Sequence, residues 1–164
     1  MKRIGILSDT HGGFPEQTFT FFKDCDEIWH CGDFGNIQVA DKLSAFKPFR
    51  GVYGNIDGHE VRLSYPETQL FEIELLKVFM IHIGGYPGKY SKEAREIIQQ
   101  EKPGLFVCGH SHILKVIFDQ KNELLHINPG AAGNFGMHQV ITMVRFSIDG
   151  KAIKDLEIYE KQRY

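Results

Sequence analysis

Residues Ile4 to Leu7 form an apolar run that stops abruptly at Ser8-Asp9-Thr10-His11-Gly12. Such a run reads as a buried strand. The polar residues after it form a loop at the carboxyl end, where open α/β sheets build their sites. The pattern recurs along the chain. Glu27 to Cys31 stops at Gly32-Asp33, and Phe49 to Tyr53 stops at Gly54-Asn55. Val78 to Ile83 carries His82 near its end, and Leu105 to Cys108 delivers Gly109-His110-Ser111-His112. Strands that end in this way make the rest of the chain a scaffold for bringing five loops together.

The segments between them support that reading. Phe14, Thr18, Phe21 and Phe22 repeat at helical spacing, with Pro15 suited to a first turn. Ile37, Ala40, Leu43 and Ser44 predict a second helix that closes before Pro48. Strand, helix, strand, helix, strand implies a parallel sheet. Gln69 to Glu74 alternates and predicts an antiparallel pair with the apolar run behind it, Gly84 to Gly88 reads as a loop, and Ser91 caps a helix carrying Ala94, Ile97 and Ile98. The last third reads as strands. Asn128-Pro129-Gly130 breaks the chain, and Asp149-Gly150 joins a final hairpin. The balance predicts one domain over residues 1–164, α/β in class, with two sheets packed face to face and helices outside.

Composition narrows the function classes. The 164 residues are 42% hydrophobic and 24% charged, the profile of a globular domain with a sizeable core. Lys plus Arg is 19 and Asp plus Glu is 21, a net charge of −2, which argues against general binding to a nucleic acid backbone. A small phosphorylated substrate fits that balance. No stretch approaches the ~20 apolar residues of a membrane span, and only four residues separate Arg3 from Ser8, too few for a signal's apolar region. Cys25, Cys31 and Cys108 are odd in number and lack CxxC spacing. They read as buried hydrophobes in a reducing cytosol. A homo-oligomer is compatible with the sequence.

Asp9, His11, Asp33, Asn55, His82, His110 and His112 are candidate metal ligands. Carboxylate oxygens and imidazole nitrogens suit Mn, Fe, Zn or Ni, whereas a structural zinc site of the Cys type needs thiolates. Seven are too many for one ion and about right for two sharing a bridge, ~3.5–4 Å apart. Each has a plainer explanation when taken alone: Asp9 or Asp33 as a helix cap, Gly-Asn as a turn, His82 as a hydrogen-bonded core histidine. His110 and His112, on alternate residues of one loop, resist it best. His30, His126 and His138 read as structural.

The order Asp-x-His, Gly-Asp, Gly-Asn, His, Gly-His-x-His resembles the calcineurin-like metallophosphoesterases. Ser8 to Gly12, the short length and Asn128-Pro129-Gly130 are similar to the small prokaryotic phosphodiesterases of the YfcE type. The resemblance implies a metallophosphoesterase-type αββα sandwich of two mixed β-sheets flanked by helices. It implies one metal on Asp9, His11 and His112, another on Asn55, His82 and His110, and Asp33 bridging them. The ions would be divalent transition metals, Mn2+ first, and the nucleophile a metal-bound hydroxide. Asn55 would also position phosphate. Two departures stand out. Many relatives follow Gly-Asn with a histidine that protonates the leaving group; here the residue is Ile56, and His59 is the nearest substitute acid. Where relatives often read His-Gly-His, this chain reads Ile81-His82-Ile83-Gly84. Two other readings stand beside this one: a protein-interaction scaffold of the same fold, as in the retromer subunit, and a nucleotide-binding module without turnover.

Overall fold

In the computed structural model, which describes residues 1–164, the first strand is β1 (Lys2–Leu7), with Ile4, Ile6 and Leu7 fully buried. Two crossovers follow, α1 (Gln17–Phe21) into β2 (Glu27–His30) and α2 (Ile37–Phe46) into β3 (Phe49–Gly51). The three strands are parallel, as the alternation of elements predicts. α2 begins where the Asn36 side chain accepts from Val39 N (3.2 Å), satisfying one free amide of the first turn. It buries Val39, Ala40 and Leu43 in one cluster with Leu7 and Ile28 of the sheet. Each of the larger side chains contributes about 1.5–3 kcal/mol. α1 is shorter than the phenylalanine spacing predicts. Only five residues are helical, and Phe14 packs on the same cluster from outside the helix.

A short helix without a sequence signal, α3 (His59–Ser64), precedes the antiparallel pair β4 (Thr68–Ile73) and β5 (Leu76–Ile81). Where the sequence reads as a plain loop, β6 (Gly85–Tyr86) and β7 (Lys89–Tyr90) form a small hairpin. The Ser91 hydroxyl accepts from Ala94 N (3.3 Å) and opens α4 (Lys92–Glu101). β8 (Leu105–Val107), β9 (Leu114–Asp119) and β10 (Leu124–Pro129) follow, then the hairpin β11 (Val140–Asp149) and β12 (Ala152–Gln162). β10 runs through Asn128 and Pro129, where the sequence suggests a break. Pro129 is the last residue of the strand, beyond the final β8 pair at Ile127, so its missing N–H leaves no gap in that ladder.

The strands make two mixed five-stranded sheets, ordered β12-β11-β1-β2-β3 and β4-β5-β8-β10-β9. Ile4, Ile6, Trp29 and Phe146 of the first meet Val78, Met80, Val107 and Ile127 of the second in the central core. α2 and α3 cover the outer face of the first sheet, and α4 covers the second. This is the expected sandwich. No helix is long and apolar enough to cross a membrane. The three cysteines are free and buried, as expected.

What matters for function is the edge. β1, β2 and β3 run parallel in one sheet, and β5, β8 and β10 in the other. Their carboxyl ends meet at one side of the sandwich. There Gly109 N donates to His82 O (2.9 Å), and Ala132 N donates to Ser8 O (2.9 Å).

Candidate metal centre

The loops after β1, β2, β3, β5 and β8 carry all seven predicted residues, and the structure brings them together. They fall into two groups whose ligand atoms lie within 4.8 Å of one another: Asp9, His11 and His112, and Asp33, His82 and His110. Asn55 joins the second through its Oδ1, 3.1 Å from His110 Nδ1. The groups share their carboxylates. Asp33 Oδ2 is 3.1 Å from His82 Nε2 and 3.6 Å from His11 Nε2. Asp9 Oδ1 is 3.2 Å from His112 Nε2 and 3.8 Å from both His11 Nε2 and His82 Nε2.

The surrounding residues aim these atoms. Asp9 Oδ2 accepts from the Ser8 hydroxyl (2.6 Å) and from His110 N (3.0 Å), so Oδ1 is the oxygen left facing the imidazoles. Asp33 Oδ1 accepts from Ile56 N (3.1 Å), which turns Oδ2 inward. The glycines of the motifs admit this packing. A Cβ at Gly54 would collide with Asp33 Oδ1, and one at Gly109 with Ser8 Oγ. Backbone conformation contributes as well. Asp9, His11, Asp33, His110 and His112 all have φ between 47° and 71°, the left-handed region that side-chain-bearing residues seldom enter. Such strain, of order 1–3 kcal/mol per residue, gathers at functional sites.

The donor set fits divalent cations on the chemistry of its own atoms. Asp9 Oδ1, His11 Nε2 and His82 Nε2 are buried without a hydrogen-bond partner, which is costly unless something charged sits between them. His82 Nδ1–H donates to Cys31 O (2.7 Å), because a carbonyl only accepts. In a neutral ring this leaves Nε2 as a lone pair facing the Asp33 carboxylate. A cation or a proton must resolve that opposition. Burial alone would lower the His82 pKa, but Asp33 and Asp9 beside it raise it above the ordinary value. Burial alone would raise the Asp9 carboxyl, but the imidazoles of His11 and His112 hold it well below the usual range.

A testable consequence is that metal stabilises the fold more strongly at higher pH. In metal-free protein, protonated His82 adds stability below pH 6.5, its unperturbed value, and loses it as pH rises through the raised pKa. Metal needs the unprotonated ring, so its contribution moves the other way. At hundred-fold excess over Kd, one site is worth about 2.7 kcal/mol, or roughly 5–10 °C in a chain of this size. Calorimetry with and without chelator at pH 6 and pH 8 should show the larger drop at pH 8. Equal melting curves after verified metal removal would contradict a preorganised site.

Two histidines outside the motif order support the site. His138 Nε2–H donates to Gly133 O (2.8 Å), leaving Nδ1 to accept from His112 Nδ1–H at 3.2 Å. Burial lowers the His138 pKa, which favours this neutral tautomer. The chain of bonds leaves the His112 Nε2 lone pair directed at Asp9 Oδ1. His30 is fully buried and pushed down to about 3 by that burial. Its Nδ1 accepts from Gly32 N (3.1 Å), and Nε2 lies 3.0 Å from Thr10 Oγ1, joining the first two loops. Sequence gives His138 no signal because its partner is distant in the chain. Partners of this kind typically matter 10–100-fold in metal affinity. We expect His138→Ala to weaken binding by about that factor in competition with a chelating indicator, and wild-type affinity would refute the orienting role.

His59 opens α3, is exposed, and makes no hydrogen bond to the seven residues. Ile56 is 47% exposed beside Asn55. Phe135 stacks on His11 with centroids 4.8 Å apart. Lys115 lines a cavity beside His110.

A family model for the calcineurin-like phosphoesterase superfamily domain matches residues 1–151. The chain belongs to that superfamily. A probable metallophosphoesterase of Methanothermobacter thermautotrophicus is 30% identical over 133 residues, 78% of this chain and 76% of the relative. Among solved structures, a novel archaeal phosphodiesterase aligns with a TM-score of 0.73 at 22% identity, covering 96% of this chain and 99% of that one. Vps29 of Entamoeba histolytica in complex with Zn2+ aligns at 0.74 and 16% identity, covering 99% of both. At those identities the structural likenesses show the fold. Membership in the superfamily rests on the sequence matches.

Proposed function

We propose that this chain is a metal-dependent phosphodiesterase with a dinuclear centre. The observation that carries the reading is the pair of carboxylate–imidazole groups sharing Asp9 and Asp33, with unpartnered atoms on their common side. One ion would sit on Asp9, His11 and His112, and the other on His82, His110 and Asn55, with Asp33 between them. Manganese suits these donors, as do iron, zinc and nickel. Such ions supply Lewis-acid activation of water and neutralise charge on phosphoryl oxygens.

The chain's own groups do the rest. Ser8 and His110 N fix Asp9, Ile56 N fixes Asp33, and Asn55 positions a phosphoryl oxygen. Covalent catalysis is disfavoured at the nearby nucleophiles. The Ser8 hydroxyl is buried and donates to Asp9. Burial pushes the Cys108 thiol up to about 12, and Cys31 well above its ordinary value. A diester is favoured over a monoester on the likeness to the archaeal phosphodiesterase. The substrate would be a small phosphorylated molecule in the cytosol.

The scaffold reading draws on exposed Val116, Ile117 and Phe118 of the edge strand β9. Hydrolysis of bis(p-nitrophenyl) phosphate after reconstitution with Mn2+, Zn2+, Ni2+ or Fe2+ separates the two. Metal-dependent turnover is expected. Stoichiometric metal with no turnover would favour the scaffold.

A further inference from the structure

The loop between β10 and β11 has no regular secondary structure and lies against one half of the candidate metal centre. Up to Gly133 it is fastened to the ligand loop after β1, with Ala132 N donating to Ser8 O (2.9 Å) and Gly133 N to Asp9 O (3.1 Å). Asn134 to Met137 are then exposed. Exposed irregular backbone is ordinarily the weakly held part of a fold. Here one side chain holds it. Arg163, the residue after β12, donates from Nη1 to Gly136 O (2.6 Å) and His138 O (2.9 Å), and from Nη2 to Asn134 O. We propose that Arg163 is a positioning residue for the ion on Asp9, His11 and His112. This rests on the dinuclear reading above.

The route from the guanidinium to the ligands is short. His138 is gripped at its own carbonyl, and its ring accepts the bond that orients His112. Gly136 passes so close to His112 that a Cβ there would lie 2.5 Å from Nδ1. Phe135 sits between two gripped carbonyls, those of Asn134 and Gly136, and its ring stacks on His11. Both imidazoles of one group therefore lean on this loop. The other group is held from elsewhere, His82 by Cys31 O and His110 by Asn55 Oδ1. Loosening the loop should weaken one ion and largely spare the other.

Arginine suits this task better than lysine. Carbonyls from alternate residues, 134, 136 and 138, converge on one planar group whose donors have fixed directions. An ammonium presents its donors from a single atom, so it can replace the Nη1 pair but not the Nη2 bond along with it. Arg163 is itself anchored. Its N donates to Gln139 O (2.9 Å), which extends the β11–β12 ladder by one step beyond Val140 and Gln162. The sheet therefore sets where the guanidinium stands, and the loop follows it. Tying down the end of β12 needs only that backbone bond. The three side-chain bonds all go to the loop against His11 and His112.

The test is a Zn2+ titration against a chelating indicator, read alongside 15N spectra of the histidine rings. The parent should bind two ions. Arg163→Ala should weaken about tenfold the ion that shifts the His112 ring, and affect far less the ion that shifts His82 and His110. Arg163→Lys should recover part of the loss. Arg163→Ala combined with His138→Ala should cost less than the product of the two separate losses, as for residues acting along one path. In metal-free protein, Arg163→Ala should erode the Nδ1–H tautomer of His112 and leave that of His82. Unchanged binding, equal weakening of both ions, or fully multiplicative losses would overturn the proposal. If the parent binds fewer than two ions, the dinuclear reading fails. The metal-free spectra then decide alone, and a His112 tautomer unchanged in Arg163→Ala would overturn the positioning role. Should Arg163→Ala not fold, Arg163→Lys is judged by the same measurements, with a smaller loss confined to the same ion expected and no loss, or equal loss at both, refuting it.

Discussion

Asp33→Asn should lower turnover of an aryl phosphodiester by more than about 100-fold and reduce the bound metal below two ions per chain. Asp33 Oδ2 faces His82 at 3.1 Å and His11 at 3.6 Å, one imidazole from each group. A change there reaches both sites. Asparagine has the same shape, so it can keep the bond from Ile56 N and the close packing under Gly54. What it loses is charge. Removing a mere supporting partner of a ligand typically costs 10–100-fold, and loss of a shared anionic ligand should exceed that. Elemental analysis after dialysis, together with kcat, makes the measurement. Two ions retained at near-parent turnover would rule out the bridge.

The second large effect concerns the leaving group. Ile56 follows Asn55 directly, and its amide holds Asp33. Its side chain therefore stands at the site's edge with no proton to give. General acid catalysis is typically worth ~10²–10⁴ in rate, and matters most when the departing oxygen is basic. Rates over a series of aryl and alkyl diesters should fall steeply as leaving-group pKa rises. Ile56→His should flatten that slope. His59→Ala should leave it alone, since His59 is exposed on α3 without a bond to the ligand residues. A shallow slope in the parent that survives His59→Ala would end the missing-acid argument. A shallow slope that steepens in His59→Ala would make His59 the acid.

The strand-end loops were legible because each imposes a strong local demand. An apolar run must stop, a glycine must let a neighbouring ligand in close, and a polar side chain must follow. Gly54 and Gly109 show the demand in three dimensions. The short pieces were not legible. α3 buries only Val61 and has no side-chain cap, and β6 and β7 are two residues each. The supporting histidines were hidden for another reason. His138 meets His112 across 26 residues, and His30 meets Thr10 across 20, so neither pairing has a spacing to read. Lys115 and His126 come to one cavity only because β9 and β10 pair with Lys115 opposite Asn128. Cross-strand register of that kind is not written in periodicity.

The five ligands held in left-handed backbone conformation put a price on keeping the set. Without a cation, Asp9, His11, Asp33, His110 and His112 combine backbone strain with crowded polar atoms, of which Asp9 Oδ1 and His11 Nε2 are buried and unpaired. Glycine at any of these positions would ease the strain, and an apolar residue at a buried one would ease the desolvation. Random drift in a chain with no use for metal would therefore run downhill towards losing ligands, one stabilising substitution at a time. This chain has all seven. A glycine scan of the five positions in chelator would measure the gradient directly, and melting temperatures above the parent's would show how much stability the set gives up to stay intact.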